Sequence, residues 1–200
     1  MESIISGEEI KKFMGIPGEV KGLFLITKAD YVRKNQGEDG VKRLEQAMAD
    51  FNYPLKYKEI KPAAFYPLGL FMFHFTALHR LFGYDEKRFS EMGIAEAKNS
   101  SPLIRIFLSH LVSLERLAQV VPKMWRDQFS IGSLKAVKID RGGKQFAVRL
   151  DDFTGDPYMC SSLEGYFSGI LNMVVGKAVS CQETKCVHQG DPCHEFLLKW

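Results

Sequence analysis

The side chains best suited to chemistry lie at one end of the chain. No cysteine occurs before residue 160, and then four follow: Cys160, Cys181, Cys186 and Cys193. Glu183, His188 and His194 fall among the last three. Thiolates, imidazoles and a carboxylate crowded into a short span are the donor set of zinc and related borderline metals. The spacing Cys181-x4-Cys186-x6-Cys193 lacks the paired Cys-x2-Cys knuckles of common zinc fingers, so spacing alone does not choose among these donors. Strand alternation would put Cys181 and Glu183 on one face. A reactive lone thiol, or four reduced cysteines buried as small apolar residues, are the competing readings. Disulfides are the weaker expectation. The N-terminus, Met1-Glu2-Ser3-Ile4-Ile5, has an acid where a signal peptide carries bases, which predicts a cytoplasmic, reducing location.

Other chemistries find little to attach to. The chain contains no Walker loop, no G-x-G-x-x-G, no G-x-S-x-G and no His-Glu-x2-His. Its 27 basic and 24 acidic residues leave a net charge of +3, too even for direct nucleic-acid binding dominated by phosphate neutralisation. An apolar share of 46% excludes a disordered chain. The uncharged stretch from Pro62 to His79 also contains Pro67, Gly69 and His74, which predicts a buried helix and no membrane span.

The elements that must position these residues follow from periodicity. A helix is expected from Glu38 or Asp39, with Val41, Leu44, Ala47 and Met48 on one face, broken by Pro54. The next, with Pro67 in its first turn, carries Leu70, Phe71, His74, Leu78 and Leu81 and ends at Gly83. A third spans about Glu86 to Ala97. A fourth carries Ile104, Phe107, Leu108, Leu111, Leu114, Ala118 and Val121 and is interrupted or ended near Pro122. The period then changes. Leu134–Asp140 and Gln145–Asp151 read as a hairpin around Gly142-Gly143. Asp156-Pro157 opens a long helix with Leu163, Tyr166, Phe167, Ile170, Leu171 and Val174 on its apolar stripe. On that helix Ser161, Gly165 and Gly169 form a second ridge of small residues, which would let another backbone approach. Ala178–Glu183 and His194–Trp200 read as the last two strands. Helices followed by strands predict an α+β fold: one domain over 1–200, with a helix-rich part at 1–125 packed on an antiparallel sheet within 130–200, and the long helix crossing that sheet.

The last part resembles a known family. Cys160, Gly165, Tyr166 and Gly169, then Gly176, Glu183 and Cys186, then Gly190, Cys193 and Phe196, look like the 4-vinyl-reductase domain. That domain occurs in the sensor regions of bacterial activators that respond to phenols and toluenes. It is related to haem nitric-oxide sensors and to Golgi transport-particle subunits. The resemblance covers residues 160 to 196. It implies a zinc held by Cys160, Glu183, Cys186 and Cys193. Four protein ligands leave no open position, so such a zinc is structural. The loop from Cys186 to Cys193 is one residue shorter than in the phenol sensors, and Cys181 stands where those sensors have a pocket aromatic.

The resemblance also implies a ligand pocket. His110 falls where the phenol sensors carry a pocket histidine, and Trp125, Tyr166, Phe167 and Cys181 are candidate walls, alongside Phe129. His74 is a core histidine or, by analogy with the nitric-oxide sensors, a haem ligand. The 15 phenylalanines suit an apolar pocket and an ordinary core alike. The function implied is a stand-alone sensory module for a small apolar or aromatic molecule, acting as a homodimer or through a separate signalling partner. A tetrapyrrole vinyl reductase or its accessory, and a scaffold resembling transport-particle subunits, are the alternatives. The lack of a nucleotide motif favours the non-enzymatic reading.

Overall fold

The computed structural model describes residues 5–99 and 113–200, and the chain divides into two compact units, 1–85 and 86–200. In the first unit, α1 (Gly7–Met14) begins with a capping box. The Ser6 hydroxyl accepts from the Glu9 N–H at 3.2 Å, and Glu9 Oε2 accepts from the Ser6 N–H at 3.0 Å. Strand β1 (Glu19–Lys21) pairs antiparallel with β2 (Phe65–Pro67), and between them run α2 (Gly22–Asp50) and a single 3-10 turn at Tyr57–Glu59. The expected helix start at Glu38 is instead a break inside α2. Gly37 sits there at φ 71°, a conformation open to glycine at little cost, and the helix resumes at once. Helix α3 (Leu68–Phe82) follows, with Pro67 as its N-cap. Phe51 stacks on Phe73 with ring centroids 4.4 Å apart, at the centre of this unit's apolar core.

In the second unit, α4 (Glu86–Lys98) and α5 (Leu114–Arg126) precede the sheet. Helix α5 does not stop at Pro122. It runs on to Arg126, because Val121 and Trp125 are both buried on its inner face and their burial outweighs one lost backbone hydrogen bond. Of the expected stripe, Ile104, Phe107, Leu108 and Leu111 lie outside the described residues. The sheet holds β3 (Ser133–Asp140), β4 (Gln145–Asp151), β5 (Ser180–Lys185) and β6 (His194–Lys199) in the order β3-β4-β6-β5, each pair antiparallel. Helix α6 (Pro157–Val175) connects the two hairpins. Asp156 caps it by accepting the Tyr158 N–H at 2.9 Å, and Pro157 occupies the first turn, where its missing N–H costs nothing. The fold is α+β, as the order of periodicities predicts.

Register fixes the faces. Glu183 pairs with Phe196, Phe196 with Val148, and Val148 with Ala136; Cys181 pairs with Leu198, and Leu198 with Phe146. These residues share one face, and Phe167 of α6 packs on it, edge to the Phe196 ring at 5.1 Å. The opposite face carries Gln182, Glu195, Arg149 and Lys135. The small-residue ridge meets α4. A Cβ added at Gly165 would lie 1.9 Å from the Ser90 carbonyl oxygen, and one at Gly93 would lie 2.0 Å from that of Ser162. Only glycine admits that approach.

Candidate metal centre

Four segments of the second unit deliver one side chain each. Cys160 comes from the first turn of α6 and Glu183 from the middle of β5. Cys186 comes from the turn that leaves β5, and His194 from the first residue of β6. Their ligand atoms all lie within 4.8 Å of one another. Cys160 Sγ is 3.8 Å from Cys186 Sγ and 3.8 Å from His194 Nδ1, while His194 Nδ1 is 2.7 Å from Glu183 Oε1. A tetrahedral zinc with bonds of about 2.3 Å to sulfur and about 2.0 Å to nitrogen or oxygen requires edges of about 3.8 Å for S···S and about 3.6 Å for S···N. The two sulfur edges are already close to those lengths. The Glu183–His194 edge is a hydrogen bond and would open by about 0.6 Å to admit the ion.

The local backbone is built to hold these donors. The Cys186 carbonyl accepts from the Gln189 N–H at 2.9 Å and the Asp191 N–H at 3.1 Å. Asp191 Oδ2 in turn accepts the Cys186 N–H at 2.9 Å. Glu164, one turn after Cys160 on α6, accepts the Glu183 N–H at 2.6 Å and so ties the helix to the strand at a ligand position. Cys160, Cys186 and His194 are buried. Desolvation, and then the Glu183 carboxylate, push the Cys160 thiol well up; desolvation pushes Cys186 up as well. A bound cation reverses that preference, because it is the local charge that lets thiolates persist away from water.

Of the residues singled out in the sequence, Cys160, Glu183 and Cys186 are thus brought together. Cys193 is buried one residue before β6 and is not a member of the four-atom group, whereas its neighbour His194 is. Cys181 is half-buried on the same sheet face, opposite Leu198. Burial pushes its thiol up, followed by the Glu164 and Glu183 carboxylates. Tyr166 and Phe167 are ring neighbours at 6.1 Å, and burial followed by Glu96 raises the Tyr166 hydroxyl. Trp125 belongs to a different cluster: it stacks on Phe129 at 4.3 Å, meets Phe153 edge-on, and donates Nε1–H to the Ile131 carbonyl at 2.9 Å. His110 lies outside the described residues.

His74 lies in the first unit, on α3, fully buried. Its Nδ1 is 2.7 Å from the Leu70 carbonyl, which can only accept, so Nδ1 carries the proton and Nε2 accepts from the Tyr57 hydroxyl at 2.6 Å. Burial, reinforced by Lys28, pulls its pKa down to about 3. Lys28 itself is fully buried, its Nζ 4.6 Å from the Phe71 ring centroid and 4.1 Å from that of Phe75. Nothing in the sequence marks it. Glu164 does carry a sequence signal: it stands four residues after Cys160, on the same helical face.

No protein-family model matches the chain, and no curated protein does. Among solved structures, it is similar to an H-NOX protein from Shewanella oneidensis in the Fe(II)NO state (13% identity over 90% of this chain and 98% of that one, TM-score 0.59). It is also similar to a doubly substituted Tt H-NOX (13% identity, 90% and 94% covered, TM-score 0.65). A third similar structure is subunit 3 of the trafficking protein particle complex from Naegleria fowleri, covalently bound to palmitic acid (19% identity, 65% and 92% covered, TM-score 0.50). At these identities the likeness is one of fold: the chain shares the fold of H-NOX domains.

Proposed function

We propose that this chain is a ligand-binding sensory module of the 4-vinyl-reductase type. It would take a small apolar or aromatic molecule and use a structural zinc to brace the helix and strands that surround it. The observation that carries the reading is the convergence of Cys160, Glu183 and Cys186, three of the residues the family resemblance selects, within 4.8 Å of one another, the two sulfurs at the 3.8 Å edge of a tetrahedral ion. With a fourth donor from the 193–194 segment the coordination shell is full, so the ion's contribution is to hold α6 against β5 and β6. The neighbours lend support for the guest: proteins of this fold have been described with haem and with palmitic acid, both largely apolar. The sheet face shared by Phe146, Val148, Phe196 and Leu198, with Cys181 as its polar point, has the apolar character such a guest needs.

Haem is a poor fit to His74. Both ring nitrogens are already committed, to Leu70 and Tyr57, and no Tyr-x-Ser-x-Arg run occurs in the sequence. No described helix is long and apolar enough to cross a membrane. The output of such a module passes to a second copy or a separate partner. Native mass spectrometry of the purified chain, followed by melting with phenols, alkylbenzenes and fatty acids, tests the reading. One zinc and a raised melting temperature with one ligand class are expected. No retained mass and no shift with any of the three would refute ligand binding.

A further inference from the structure

We infer that the fourth ligand of the metal centre is His194, through Nδ1, and that Cys193 is not a ligand. The centre is then built from two cysteines, one histidine and one glutamate, with two thiolates in all. This rests on the metal-binding reading above and specifies it. The first ground is distance. His194 Nδ1 sits within ligand-edge reach of both Cys160 Sγ, at 3.8 Å, and Glu183 Oε1, at 2.7 Å. Cys193 Sγ is not part of the group.

The second ground is register. His194 lies in β6, in phase with Phe196, and Phe196 pairs with Glu183 across the ladder. Alternation therefore sends the His194 side chain to the face that bears the Glu183 carboxylate and is covered by α6, which carries Cys160. Cys193 stands in the bend one residue before the strand, outside this ladder. The third ground is burial. His194 is 2% exposed, and its Nδ1 contacts Glu183 and Cys160, so the imidazole is held in place by the prospective ligands themselves. A neutral imidazole in place of a third thiolate also leaves the occupied centre with one unit less negative charge in a desolvated site.

Cobalt(II) substitution of the full chain reads the thiolate count directly, because sulfur-to-cobalt charge-transfer intensity scales with the number of coordinated sulfurs. The expected spectrum is that of a two-sulfur site, unchanged in Cys193→Ser. X-ray absorption of the zinc-loaded wild-type chain should give two sulfur and two nitrogen or oxygen scatterers, and this needs no variant to fold. His194→Ala should bind zinc at least about tenfold more weakly than wild type in a chelator competition. Three sulfur scatterers, or loss of charge-transfer intensity in Cys193→Ser, would overturn the assignment while leaving the metal centre standing. A wild-type chain that takes up neither ion would overturn both.

Discussion

Replacing Gly165 by alanine isolates the contact that sets α6 in place. The added Cβ would lie 1.9 Å from the Ser90 carbonyl oxygen, and a carbon–oxygen contact is tolerated at about 3.3 Å. The two helices must therefore part by about 1.4 Å, and a backbone oxygen has no rotamer by which to yield. Overpacking of this kind costs about 3 kcal/mol, at the upper end of its usual range. Alanine recovers about 1 kcal/mol through helix propensity. The net loss is about 2 kcal/mol, or about 6 to 10 °C in melting temperature for a unit of this size. Gly169 offers an internal comparison: its Cβ would meet the Ala97 methyl at 2.7 Å, a softer and smaller overlap, so Gly169→Ala should lose less. A Cβ at Gly7, in the first turn of α1, meets nothing within 4 Å, and Gly7→Ala should lose nothing and gain part of the propensity term. Scanning calorimetry of the zinc-loaded protein reads all three. Since α6 also carries Cys160 and Glu164, Gly165→Ala should weaken zinc retention as well. A melting temperature equal to or above wild type for Gly165→Ala would refute the close crossing of α4 and α6.

Two further outcomes test the metal centre and the first unit. Chelation should lower the melting temperature of the zinc-loaded protein, with a stability loss of about 4 kcal/mol where free zinc had stood at a thousand times its dissociation constant; Cys160→Ser and Glu183→Ala should reproduce that loss and Cys181→Ser should not, so equal effects would remove the ligand assignment. His74 is neutral when folded, its pKa depressed to about 3, while the unfolded chain protonates it near 6.5, so the unfolded state binds the extra proton between those values. Stability should fall as pH drops from about 6.5 toward 3, by up to about 1.4 kcal/mol per pH unit from this residue. His74→Gln should flatten that slope in urea titrations at pH 7, 5.5 and 4.5, and an unchanged slope would place the histidine elsewhere.

Much of the second unit is legible in the sequence because its signals are local. Alternation in Gln145–Asp151 and the Asp156-Pro157 start each depend on a few adjacent residues, and the structure places β4 and α6 where they indicate. The ridge at Gly165 and Gly169 is legible as an approach surface, but its partner is not, since Gly93 and Ala97 on α4 are more than 60 positions distant and carry no mark of the pairing. The break at Gly37 looks like a helix start because a glycine at positive φ and a true terminus leave the same trace in sequence. Lys28 is invisible for a different reason: a lone lysine on a helix is ordinarily solvated, whereas here it is buried with its ammonium over the Phe71 and Phe75 rings.

In the metal centre, the residue types are legible and their geometry is not. The family resemblance implies four donors, and the fourth, Cys193, stands beside His194, a residue type that ligates metals as readily. Sequence spacing treats Cys193 and His194 as equals. The ladder does not, because His194 is its first rung, in phase with Phe196, while Cys193 stands in the bend before it. The site and the helix crossing are joined through the same element. Helix α6 is tied near its N-terminus by Glu164, which accepts the Glu183 N–H of β5, and meets α4 closely through Gly165 and Gly169. A helix held at two points along its length keeps Phe167 against Phe196 of the sheet. Were a metal held at Cys160 as proposed, an apolar guest entering beside Phe167 would have to move that end of α6 and the glycine crossing together, which would couple occupancy to the position of the whole helix.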